Sequence, residues 1–122
     1  MSDCTVTMVG SLTRDPELRF TNSGRANANF GLAVNRRYQK DGEWVEEVSF
    51  FNCVAWGALG ENLAASCTKG TRVIVSGRLE QRSYDTQAGE KRTVVEVVVD
   101  DAGPSMRWAR AQVDKVERET GR

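Results

Sequence analysis

Between Asn27 and Asn35 the chain alternates without a break: Ala28, Phe30, Leu32 and Val34 on one parity, Asn27, Asn29, Gly31 and Asn35 on the other. A period of two marks a strand with one buried face. The pattern recurs along the chain. Val6, Met8 and Leu12 alternate with Thr5, Thr7, Ser11 and Thr13, and Gly10 stands where an apolar residue is due. Glycine inside a strand marks a bend, a bulge or a close backbone approach. Asp15-Pro16 ends this run, because proline cannot donate to the ladder. From Thr71 to Tyr84, Val73, Val75 and Leu79 oppose Ile74, Ser76, Arg78, Glu80, Arg82 and Tyr84. Thr93, Val95, Val97 and Val99 alternate with Arg92, Val94, Glu96 and Val98. The run Val48 to Trp56 differs in being apolar on both parities, with Phe50, Val54 and Trp56 on one and Phe51, Cys53 and Ala55 on the other. Such a strand is either covered on both sides or carries an exposed aromatic face.

The connections complete the order. Asp41-Gly42 is a turn dipeptide inside a predicted loop from Tyr38 to Glu47, and a second turn falls at Asp85–Glu90. Leu59, Leu63 and Cys67 stand at i, i+4 and i+8, which predicts a helix over 59–68, with Gly70 placed to stop it. Met106 to Glu119 is ambiguous: Ala, Arg, Gln, Lys and Glu favour helix, while Met106-Arg107-Trp108 fits a strand. The sequence of elements is β-β-β-α-β-β. With 122 residues there is room for one domain, able to bury roughly two-thirds of its unfolded surface without a disulfide or metal. This order fits an all-β OB-fold, a five-stranded Greek-key barrel with one short helix. Another small sandwich or barrel is the alternative.

Composition excludes more than it asserts. Lys plus Arg and Asp plus Glu number 17 each, so any polyanion partner must be met by a segregated basic face. There is no His, which removes the usual general base and the commonest metal ligand. Cys4, Cys53 and Cys67 are far apart with no CxxC, so no metal site and no cofactor is expected. The first ten residues lack the basic and apolar regions of a signal peptide, and no apolar run reaches the ~20 residues that span a membrane. The expectation is a cytoplasmic protein.

An OB barrel binds on the face of its second and third strands and with the loops joining strands 1–2 and 4–5. Phe50 and Trp56 share a face of the third strand. Tyr84 leads into the 4–5 loop beside Arg78 and Arg82, and Lys91 and Arg92 return from it. Tyr38 and Trp44 bracket the 2–3 loop beside Arg36, Arg37 and Lys40. Rings interleaved with cations suit unpaired nucleic acid, because bases stack at roughly 1–3 kcal/mol each and cations neutralise phosphates. The plain readings are that Phe20, Phe30 and Phe51 are core, that Trp56 is core or site, that Trp108 packs or meets a subunit, and that Arg36-Arg37 is a solvated strand end.

Several segments in order carry a family resemblance. They are Val9-Gly10-Ser11-Leu12, Asp15-Pro16-Glu17-Leu18-Arg19-Phe20, Asn29-Phe30-Gly31-Leu32-Ala33-Val34 and Phe50-Phe51-Asn52-Cys53-Val54-Ala55-Trp56-Gly57. Glu61-Asn62-Leu63, Lys69-Gly70-Thr71-Arg72-Val73, Gly77-Arg78-Leu79 and Glu96-Val97-Val98-Val99 follow. The chain resembles the bacterial single-stranded DNA-binding proteins from about Thr5 to Asp101. Gly103-Pro104-Ser105-Met106-Arg107-Trp108 resembles their actinobacterial branch. The resemblance implies an OB-fold homotetramer over residues 1–115 that coats single-stranded DNA in replication, recombination and repair, without catalysis, in the nucleoid. It places the stacking aromatics at Tyr38, Phe50, Trp56 and Tyr84, and basic contacts at Lys69, Arg72 and Arg82. It extends residues 106–115 as a strand that clamps a neighbouring subunit. It puts Cys4 near a subunit boundary, where an inter-subunit disulfide is conceivable. Family members usually end in a long tail with an acidic, hydrophobic tip; residues 116–122 are short and carry none, so partner recruitment through a tip is not expected.

Three rivals have clear signatures. An RNA-binding or primosome-type OB module would hold RNA as tightly as DNA or assemble with primosome proteins. A metal nuclease would need Asp15, Glu17, Asp100 and Asp101 to converge, whereas they stand at turn positions where acids are commonplace. A protein-only assembly module would bind no nucleic acid.

Overall fold

The computed structural model describes residues 3–117. Its strands are β1 (Thr5–Leu12), β2 (Glu17–Phe20), β3 (Ala26–Lys40), β4 (Glu43–Trp56), β5 (Arg72–Asp85) and β6 (Lys91–Pro104), with one helix, α1 (Gly57–Ser66), between β4 and β5. They form one sheet in the order β1-β5-β6-β4-β3-β2. A further pairing, Ser11 with Ala33 and Leu12 with Leu32, joins β1 to β3 and closes the barrel. β4 and β6 run parallel at Cys53–Val97 and Val54–Val98; the other neighbours are antiparallel. This is the expected OB-fold.

The buried parity of each run fills the barrel. Met8, Leu12, Phe30, Leu32, Cys53, Ala55, Val73, Val75, Val97 and Val99 form one cluster, capped by Leu63 of α1 and by Cys67 just past its end. Phe30, Leu32, Val73 and Val75 are wholly buried. Gly10 explains the gap in the first pattern. A Cβ there would lie 2.5 Å from the Ala33 carbonyl oxygen, so only glycine lets β1 close against β3. β6 carries a bulge where its register with β5 shifts at Ser76/Gly77, which sharpens the local twist.

Several expectations are corrected. The predicted loop Tyr38–Glu47 is instead the end of one long hairpin, in register from Asn27–Trp56 to Lys40–Glu43. Only Asp41 and Gly42 turn, with φ of 52° and 81°. Two successive residues at positive φ match the twist of the flanking strands. α1 begins two residues earlier than expected and ends at Ser66, with Gly70 in the turn beyond rather than at its end. β2 is an extra short edge strand paired to β3, exposed along its whole length. Phe20, expected in the core, therefore stands 61% exposed. Beyond Pro104 the described residues, up to 117, adopt neither strand nor helix, so the clamp strand expected up to residue 115 is not formed in the single chain. Trp108, expected to pack or to meet a subunit, is exposed there in the single chain. The tail expected at 116–122 lies largely outside the described residues.

Candidate nucleic-acid interface

Alternation along β4 sends Phe51, Cys53 and Ala55 inward and Trp44, Val48, Phe50, Asn52, Val54 and Trp56 outward. Phe50 faces only the small Ala33 across the hairpin and is 72% exposed. Trp56, opposite Asn27, is half-buried where α1 begins, and the Arg25 guanidinium lies 4.3 Å from its ring centroid. Trp44 near the tip of the hairpin holds the Arg37 guanidinium at 5.0 Å. β6 beside β4 extends this face to the β5–β6 hairpin. There Arg78 pairs with Val98, Arg82 with Val94 and Tyr84 with Arg92, all on the outward parity. By strand alternation, then, Trp44, Phe50, Trp56, Arg37, Arg78, Arg82, Tyr84 and Arg92 share one side of the sheet. Lys40 and Lys91 stand at the hairpin tips on the other parity.

Tyr38 and Arg36 belong to the inward parity of β3, which beyond the barrel becomes the reverse face of the hairpin arm. The three groups there interlock. Tyr38 Oη donates to Glu47, Arg36 reaches the same carboxylate at 3.2 Å, and the Arg36 guanidinium lies 5.1 Å from the Tyr38 ring. The hydrogen bond to Glu47 raises the Tyr38 pKa, and the same bond, with Arg36, lowers that of Glu47. Lys69 and Arg72 lie away from both arms. The Lys69 N–H donates to Asp15 at 2.8 Å, and Arg72 donates to Ser105 Oγ at 2.7 Å.

Electroneutrality has a local cause. Arg36, Arg78, Arg82 and Arg92 are held by Glu47, by Glu80 and Asp100, by Glu96 and by Glu90 respectively. Exposed pairs of this kind are worth only about 0–1 kcal/mol, so a phosphate can replace the carboxylate. The acids of the nuclease reading are dispersed: Asp15 accepts from Lys69, Asp100 pairs with Arg78, and Asp101 accepts from the Ala102 N–H. Among the described residues no three such groups gather to hold a metal.

Two residues escaped the sequence reading. Arg25 follows the Asn22-Ser23-Gly24 turn, and only its register before β3 would have placed it beside Trp56. Arg14, in the β1–β2 connection, lines a polar cleft with Asn29, Asn52, Arg82 and Glu96.

A closed five-stranded barrel that turns exposed rings and guanidinium groups out along one face and two hairpin arms defines an OB-fold binding module. Residues 4–105 match the model of the single-strand binding protein family. The chain belongs to that family. It is 55% identical over 122 aligned residues to the single-stranded DNA-binding protein of Mycobacterium tuberculosis, covering 98% of this chain and 74% of that protein. The Mycolicibacterium smegmatis protein of the same name is 56% identical over 119 residues, covering 95% and 72%. That of Corynebacterium glutamicum is 46% identical over 121, covering 97% of this chain and 54% of the relative. In structure the chain is similar to the small single-stranded DNA-binding protein of Streptomyces coelicolor, with a TM-score of 0.71 and 28% identity over 87% of this chain and 97% of the other.

Proposed function

We propose that this chain binds single-stranded DNA with little regard to sequence and performs no chemistry on it. The observation that carries the reading is Phe50: a phenyl ring 72% exposed, on the same outward face of β4 as Trp56. Exposing such a ring costs hydrophobic stabilisation unless a ligand covers it. A stacked base does so and contributes roughly 1–3 kcal/mol, whatever the base, because each has a π-face. Trp56, Tyr84 and Trp44 extend the row. Arg25, Arg37, Arg78, Arg82 and Arg92, with Lys40 and Lys91 at the tips, supply charge for the phosphates. Tyr38 and Arg36 join from the reverse face of the arm, where a strand passing around the hairpin meets them.

The family membership supports a coating role in replication, recombination and repair, by a homotetramer in the cytoplasm. Competition tests the reading. Labelled oligo(dT) is bound to the protein and displaced with unlabelled oligo(dT), oligo(rU) or duplex. The reading expects single-stranded DNA to compete far better than duplex. RNA competing as well as DNA would instead support an RNA-binding module.

A further inference from the structure

Between Phe50 and Trp56 the outward side of β4 carries Asn52, and beside it opens a polar cleft of about 190 Å³. Arg14, Asn29, Asn52, Arg82 and Glu96 are among its lining residues. They come from the β1–β2 connection, β3, β4, β5 and β6 in turn, so the cleft exists only in the closed barrel. The connection can lie across the sheet because β3 has no side chain at Gly31. The Thr13 N–H donates to the Gly31 carbonyl at 3.0 Å. A Cβ on Gly31 would collide with Thr13 Oγ1 and stand 3.3 Å from Arg14 Nη1. Glycine therefore leaves the space through which the Arg14 guanidinium reaches the cleft.

The chemistry of this cleft differs from that of the rings on either side. The one ring that borders it, Phe30, is wholly buried, so a base seated there is not held by stacking. A phosphate suits it no better, because the Glu96 side chain, only 23% exposed, would repel it. What the cleft offers is hydrogen bonds with spare capacity. Asn29 donates to Asn27 at 2.7 Å, which leaves its amide oxygen as an acceptor. Among the described residues Glu96 forms one ion pair, with Arg82 at 3.7 Å, and Arg14 forms none. A phosphate on the outward face that draws Arg82 away leaves the Glu96 carboxylate half-buried without its cation. Such a group is costly until donors are supplied to it.

We propose that the cleft reads the edge of one base and prefers guanine, so that a single position is selective in a track otherwise indifferent to the base. The proposal rests on the reading that the chain binds single-stranded DNA. Guanine is the DNA base whose Watson–Crick edge carries two adjacent donors, N1–H and N2–H, and a carboxylate accepts both at once. Its O6, next to them, accepts from Arg14 or from the Asn52 amide. Adenine, cytosine and thymine each offer the carboxylate one donor group. Asn52 stands about 7 Å along β4 from Phe50, two residues of rise. The neighbour of a base stacked on Phe50 therefore falls at the cleft.

The test uses labelled oligo(dT) of about 8 nucleotides, within the roughly 4–16 that an OB fold covers. The central base is thymine, adenine, cytosine, guanine or hypoxanthine, the last being guanine without its N2 amino group. Anisotropy titrations across a salt series are made with the full chain, Glu96→Gln and Arg14→Met. The parent should bind the guanine oligomer about tenfold tighter than the all-thymine one, with hypoxanthine in between. Glu96→Gln turns one acceptor into a donor, so it should lose the preference while holding the all-thymine oligomer at least as well as the parent. Arg14→Met should weaken the preference and leave the all-thymine affinity and salt slope unchanged. Equal affinity of the parent for all five oligomers would overturn the proposal, as would a preference that survives in Glu96→Gln. An Arg14→Met variant that weakens all five alike and lowers the slope by about 0.7 would make Arg14 a phosphate contact and overturn it too. If the parent binds none of the five, the functional reading itself fails, and this one with it.

Discussion

The guanidinium of Arg25 lies 4.3 Å from the centre of the Trp56 ring, although 31 positions separate the two in sequence. The contact fixes a half-buried ring at the start of α1 and places a cation beside the surface on which a base would stack. Trp56→Ala should therefore weaken oligo(dT) binding by roughly 1–3 kcal/mol. Trp56→Phe should keep the fold and most of the affinity. Arg25→Ala should lower the salt slope by about 0.7, one phosphate contact. Anisotropy titrations across a salt series check all three.

Glu47 holds both Tyr38 and Arg36. A phosphate that takes Arg36 must leave this carboxylate free to recapture a cation, which blunts the salt dependence. Glu47→Gln should keep a hydrogen bond from Tyr38 and release Arg36, giving tighter binding at low salt and a steeper slope by up to about 0.7. A slope unchanged in this variant would show that Arg36 meets no phosphate.

The same cluster has a defined pH response. The Glu47 pKa is lowered in the fold, so its contribution is complete above the unfolded carboxylate value and is lost as pH falls through the folded one. The Tyr38 pKa is raised, so the phenol remains a donor beyond the ordinary tyrosine range and is lost only as pH rises through its higher value. NMR titration of the Tyr38 ring should show both events in the native chain, and in Glu47→Ala a single event at lower pH than the native phenol step, since the largest cause of the rise is gone.

Gly10 carries the closure of the barrel. Gly10→Ala sets a methyl 2.5 Å from the Ala33 carbonyl oxygen, so β1 must move off β3. A loss of about 1–3 kcal/mol in urea unfolding is expected, the usual cost of overpacking. An unchanged midpoint would mean that the β1–β3 pairing contributes little.

The thiols should separate cleanly. Cys4 is exposed, whereas burial pushes the Cys53 thiol up to about 12 and that of Cys67 upward. At neutral pH a thiol reagent should label Cys4 quickly in the native chain, and Cys53 and Cys67 only on unfolding. Gel mobility with and without reductant then reports whether Cys4 links two copies.

The barrel was legible because burial imposes a period of two: Ala28, Phe30, Leu32 and Val34 face inward as their spacing predicted. The arms were not. From Arg36 to Glu47 both faces meet water, so no apolar alternation survives, and the turn signal of Asp41-Gly42 made a long hairpin resemble a loop. β2 was hidden for the same reason, being exposed throughout, and Phe20 was misplaced in the core with it. On β4 apolar residues on both parities left two readings; packing sends Phe51 inward and leaves Phe50 exposed. Tyr38 could be named as an aromatic candidate, but its place opposite Phe50's face followed only from the register. The residues beyond Pro104 carry mixed helix and strand signals and in the single chain form neither.

On the proposed function, exposed rings on β4 and β5 stack bases while nearby cations meet phosphates. Titration with oligo(dT) at two salt concentrations, followed by tryptophan fluorescence with duplex as control, tests it most directly. Strong quenching is expected, diminished in Trp56→Phe, with a log–log salt slope of roughly −0.7 per phosphate contact and much weaker duplex binding. No quenching, or duplex held as tightly as the single strand, would contradict it.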